Sequence, residues 1–123
     1  MPTPELSQKA GKLNLVIEQG SRFDPVLTYK DSAKELVILT SYTARMQIRA
    51  TKDAATALVD LTTENGGIVL GGVAGTIQIV IASDVTEAFT WTKGVYDLEL
   101  ISPSGYPSRL LEGSVKIRTE VTR

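Results

Sequence analysis

Asp97 and Glu99 stand two residues apart in the stretch Gly94–Arg118, and a carboxylate pair is the one arrangement in this chain suited to hydrolytic chemistry. The chain has no histidine and no cysteine. It therefore lacks the commonest general base, the commonest transition-metal ligand, thiol nucleophiles and disulfides. Asp97 and Glu99 alternate with Tyr96, Leu98 and Leu100, which puts both carboxylates on one face of a strand. Nothing apolar flanks them on that face to raise a pKa, as a general acid requires. They read as a solvated sheet surface. The glycines of Gly71-Gly72-Val73-Ala74-Gly75 suggest a phosphate cradle, but such a loop needs a helix after it and usually a lysine. Here Thr76–Ile81, a strand pattern, follows, so the glycines read as a hairpin turn. Arg45 and Arg49 share a polar face with Gln47, and two spaced charges on such a face serve solubility more often than recognition. Phe89 and Trp91 read as a plug at one end of a core, not as a stacking platform. The D-x-D-x-D-G calcium spacing is absent. The expectation is a chain that is not an enzyme, with no catalytic residue, cofactor or metal.

The elements that would position these residues are strands. Gly94–Arg118 predicts a β-hairpin turning at Ser102-Pro103-Ser104-Gly105, where Pro presets φ and Gly tolerates the reversal. Leu111, Gly113, Val115 and Ile117 share one side of its return strand, and Leu110 beside Leu111 breaks the phase, the mark of a bulge. Further strands are predicted at Leu13–Glu18, at Val26–Tyr29, at Ala44–Ala50, at Ala57–Leu61, at Ile68–Leu70 and at Thr76–Ile81. Leu36–Leu39 is a short apolar run, either a covered strand or a crossing segment. Pro25 confines its strand to an edge or a strand start. Ser83–Phe89 carries the only helical signal, with Asp84 and Glu87 spaced as a capping box. The fold class predicted is all-β, an antiparallel immunoglobulin-like β-sandwich with one short helix over about residues 84–89. The Cys–Trp–Cys signature of true immunoglobulin domains is missing. The predicted core contains Leu15, Ile17, Met46, Ile48, Ile77, Ile79, Ile81, Tyr96, Leu98, Leu100, Val115 and Ile117.

A chain of 123 residues fits one domain with a real core. The formal charge of −1 argues against a nucleic-acid partner, and no apolar run approaches the ~20 residues of a membrane span. The start, MPTPELSQKAGK, lacks the apolar stretch of a secretory signal, so synthesis and use from the cytoplasm are expected. Residues 1–12 read as an extended, protease-sensitive arm and residues 13–123 as the sandwich. Candidate interaction residues are Pro2, Pro4, Leu6, Lys9 and Lys12 of the arm, laid over a neighbouring copy, and Pro25 on an open edge strand.

Three stretches carry a resemblance: Leu15–Phe23; Ser41–Asp53 followed by Leu58–Ala82; and the final hairpin with its terminal Val121-Thr122-Arg123. Within them, Ile17-Glu18-Gln19-Gly20, Tyr42–Arg49, Gly75-Thr76-Ile77, Tyr96–Leu100 and Arg109–Gly113 resemble a family of small proteins from tailed phages and prophages. The hairpin is also distantly similar to the end of the N-terminal β-domain of phage baseplate upper proteins. Members often carry W-K-D before a D-G-x-P turn, whereas Tyr29-Lys30-Asp31 here leads into Ser32-Ala33-Lys34-Glu35. The resemblance implies a virion structural component without catalysis, made in the bacterial host cytoplasm. Its partners would be other virion proteins and copies of itself in a symmetric assembly. A tail, baseplate or fibre-adaptor module is the leading expectation and a capsid decoration (cement) protein the alternative. A carbohydrate-binding module for receptor recognition is a third reading, and it would want more exposed aromatics than two Phe, one Trp and four Tyr supply.

Overall fold

The computed structural model describes residues 11–31, 33–119 and 121. Alternating sequence becomes two sheets. The strands are β1 (Gly11–Lys12), β2 (Leu15–Glu18), β3 (Val26–Thr28), β4 (Thr43–Arg49), β5 (Val59–Thr62), β6 (Ile68–Leu70), β7 (Thr76–Ile79), β8 (Lys93–Ile101) and β9 (Pro107–Arg118). One sheet has the order β1-β9-β8-β4-β5, with β2 also on β9, and the other has the order β3-β7-β6. These are the G-F-C-C′ and B-E-D arrangements of an immunoglobulin-like sandwich. Alternate apolar residues from both sheets meet between them, and all twelve expected core residues are buried, Ile17, Ile48 and Leu98 completely.

The β8–β9 hairpin forms as its sequence predicts. Gly105 takes a φ of +90° at the turn, and its N–H donates to the Ser102 carbonyl at 2.8 Å. Register runs Leu98↔Leu111 and then Glu99↔Arg109, so Leu110 is the extra residue of a bulge. If Leu110 alternated regularly with its neighbours, counting back from Glu112 would turn Arg109 toward the core. The bulge instead buries Leu110 and returns Arg109 to the wet face.

Three expectations need correction. The large sheet is mixed, because β1 and β2 pair parallel to β9, with Leu15↔Val115 and Ile17↔Ile117. Alternation specifies which face is apolar but not the direction of the neighbour. The helix α1 (Ser83–Glu87) begins after Ala82, and no side chain caps it; Asp84 lies within its first turn. What holds this short helix is Thr86, fully buried, which accepts from the Gly20 N–H at 3.0 Å and donates to the Ser21 carbonyl at 2.8 Å. Finally, Gly11 and Lys12, assigned to the arm, are strand β1. The run Leu36–Leu39 is a crossing segment: Val37 and Leu39 are buried, Leu36 and Ile38 exposed, and among the described residues it makes one isolated bridge, Lys30↔Leu36.

Candidate interaction surface

The wet face of the large sheet is an ordered grid. One row across the strands is Arg45, Glu99 and Arg109; the next is Gln47, Asp97, Glu112 and Lys12; the third is Arg49, Val95 and Ser114. Arg45 donates to Glu99 at 2.6 Å. Arg109 lies 3.5 Å from Asp97 and 3.6 Å from Glu112, so one guanidinium serves both carboxylates. Asp97 and Glu99, the pair of hydrolytic promise, are thus each paired with an arginine and half open to solvent, although, against expectation, the apolar Val95 and Ile101 flank them in the same phase of β8. Arg49 spends its donors on neutral acceptors, the Ala54 carbonyl at 2.7 Å and Gln47 Oε1 at 2.8 Å.

Over the second and third rows lies an open groove of about 440 Å³, with Lys12 on one side and Arg49 and Lys52 on the other. Its edge beside β9 is built by a knot of backbone contacts. The chain between β1 and β2 crosses directly over Gly113, where an added Cβ would strike the Leu13 carbonyl. Tyr96, opposite Gly113 in register, donates its hydroxyl to that same carbonyl at 2.6 Å. Asn14 Oδ1 accepts the Ser114 N–H at 3.0 Å. Burial pushes the Tyr96 hydroxyl up to about 12. The same cause, with smaller contributions from Tyr42 and Asp31, pushes Tyr29 up to about 12.

A second groove, about 260 Å³ and mainly apolar, lies between the sheets, where Leu13, Leu110 and Leu111 face Leu27 and Ile77. The two grooves share Lys12.

No family model and no curated protein matches this chain. Solved structures do show likeness. One is of Drosophila OTK, extracellular domains 3–5, at 20% identity and a TM-score of 0.36, covering 89% of this chain and 34% of that one. Another comes from work on multimeric cell-adhesive interactions of VGSC beta subunits, at 11% identity and a TM-score of 0.41, covering 98% of each chain. The chain therefore spans about a third of the first of these.

Of the expected interaction residues, Pro2, Pro4, Leu6 and Lys9 lie outside the described residues. Lys12 sits on β1 and lines both grooves. Pro25 immediately precedes β3, an edge strand as expected, but it is half-buried and its carbonyl accepts the Ile79 N–H at 3.1 Å. The structure does not bring Pro25 and Lys12 into one site. Sequence reasoning treated Arg49 as a solvated charge and gave Lys52 no role. The signal it lacked was the pairing of Arg109, which removes the nearby carboxylates from competition. Phe89 and Trp91 are half-buried against the core with ring centroids 4.9 Å apart, as expected of a plug. Among the seven aromatics Tyr106 alone is largely exposed. Among the described residues no group of three or more His, Cys, Asp or Glu could hold a metal ion, and no helix is long and apolar enough to cross a membrane.

Proposed function

We propose that this chain is a non-enzymatic structural component of a bacteriophage particle, an interaction module of the tail, baseplate or fibre attachment. The observation that carries the reading is where the phage-like motifs fall. Tyr42–Arg49 is almost wholly β4, Tyr96–Leu100 lies in β8, Arg109–Gly113 contains the β9 bulge, and Ile17-Glu18-Gln19-Gly20 closes β2. These four build the large sheet, its polar groove and the loop that Thr86 pins, while the fifth, Gly75-Thr76-Ile77, enters β7 of the small sheet. A motif set concentrated on one sheet and its wet face fits a domain that works by contact. The carbohydrate reading loses support, because a single exposed aromatic, Tyr106, makes no stacking platform. The location implied is the virion, after synthesis in the bacterial cytoplasm. The partners implied are other virion proteins and further copies of this chain.

Mass spectrometry of purified particles from a producing strain, followed by a map of copies in the intact particle, tests the proposal. Detection at a symmetric tail position supports it, and a lattice position on the capsid would convert it to a decoration protein. Absence from particles overturns it.

A further inference from the structure

We infer that the groove on the wet face of the large sheet binds an extended acidic peptide segment whose carboxylates stand four residues apart. Charge is the first observation. Four basic side chains, Lys12, Arg49, Lys52 and Arg109, line the groove against two acidic ones, Asp97 and Glu112. Both carboxylates already lie against Arg109. Arg49 is held by neutral oxygens, which fix its position without cancelling its charge. Lys12 and Lys52 form no ion pair among the described residues, although Lys12 lies in register with Glu112. Four basic side chains against two acidic ones leave the concavity with a net charge of +2, in a chain whose formal charge is −1.

Spacing is the second observation. Lys12 is on β1 and Arg49 on β4, separated by β9 and β8. Three strand spacings of about 4.8 Å and a two-residue offset of about 6.7 Å along the strands put the two basic ends about 16 Å apart. An extended peptide rises about 3.3–3.4 Å per residue, so carboxylates at i and i+4 share one face and stand about 13–14 Å apart, and the long Lys12 and Arg49 side chains span the remaining few ångström. Between them Val95, 37% exposed, offers an apolar floor to the intervening residues. Asp60, across from Gln47 on β5, lies outside the groove and leaves the Arg49 end unblocked. An anionic polymer with closely spaced phosphates would crowd this pattern.

The inference goes beyond the particle assignment and is tested on the isolated full chain. The probe is a capped Gly/Ser peptide carrying two glutamates four residues apart, titrated into isotopically labelled protein. The expected result is shifts confined to amides around Val95, Ser114 and Lys52, with Lys12→Glu and Lys52→Glu each weakening binding at least threefold and the pair at least tenfold. A control peptide with adjacent glutamates should bind several-fold more weakly, and 0.5 M salt, on the order of a 4 Å Debye length, should erase the difference. Both lysines are on the surface, so the unfolding midpoint of each variant verifies that the fold persists. Absence of shifts at these amides overturns the inference, as does binding indifferent to the two reversals. Tighter binding of a hexathymidylate oligonucleotide than of the peptide also overturns it. None of these outcomes depends on whether the chain is found in particles, so failure here and failure of the virion reading are separable.

Discussion

At Tyr96 a single hydroxyl joins the first strands to the last. Its ring is buried between the sheets and its oxygen donates to Leu13, a residue 83 positions earlier. A tyrosine whose folded pKa is raised to about 12 from 10 stabilises the fold fully below pH 10, and that contribution is lost as pH rises toward 12. Stability measured by urea unfolding should therefore fall between about pH 10 and 12. Tyr96→Phe should lower stability at pH 7 by about 1 kcal/mol, the loss of one hydrogen bond, and flatten the alkaline decline, with the remainder belonging to Tyr29 and Tyr42, which burial also raises. Leu98→Ala removes a fully buried side chain from a central strand and should cost about 2–5 kcal/mol in the same assay. Those two sites were legible from alternation alone, since Tyr96, Leu98 and Leu100 keep one phase while Asp97 and Glu99 take the other. Thr86 was not. A threonine in a short polar segment looks like a helix surface residue, and only the arrival of Gly20 and Ser21 makes it a buried hub. Thr86→Val keeps the shape but leaves that N–H and carbonyl without their partner, and should cost about 1–3 kcal/mol. A variant as stable as the parent would show that water replaces the hydroxyl.

Elements differ in how much of them the residues announce. The hairpin β8–β9 was legible to the bulge, because two adjacent leucines in an otherwise strict alternation cannot both obey the pleat. The parallel pairing of β1 and β2 was not, since Leu15 and Ile17 have the same phase whichever way the neighbouring strand runs. The clue that does exist is Gly113, the one glycine interrupting the apolar phase of β9. It is where the link between β1 and β2 passes close to the backbone. Gly113→Ala must lift that link, and overpacking of this kind costs about 1–3 kcal/mol. Hydrogen exchange gives the sharper check: amides of Leu15–Glu18 should lose protection while those of β4 keep theirs. Equal loss across the sheet would mean that the crossing is not a local lock. Leu110 is the second such device. Deleting it lets β9 alternate regularly while Arg109 stays opposite Glu99 on the wet face, so the Arg109 contacts with Asp97 and Glu112 should persist and the loss should be one buried leucine, about 2–5 kcal/mol.

For the molecule as a whole, the two-sheet architecture and its core followed from strand periodicity, whereas the groove depends on pairings between rows of residues far apart in sequence. Among the described residues every strand pairing falls within residues 11–118, and removing residues 1–10 should leave the unfolding midpoint nearly unchanged by calorimetry. Chelator should not move it either, since the fold rests on apolar packing with no carboxylate cluster among the described residues. The parallel contact of β2 with β9 has a mechanical consequence. Leu15 and Val115 are register partners, with one strand near each end of the described chain. Tension applied at residues 11 and 118 draws these strands along their own length in opposite directions. The ladder between them is then loaded in shear, all its hydrogen bonds together, instead of being peeled one at a time as β8 from β9 would be if pulled apart at their open end. A domain clasped in this way resists stretching along one axis while its thermodynamic stability stays ordinary, a useful property for a part strung between neighbours under load.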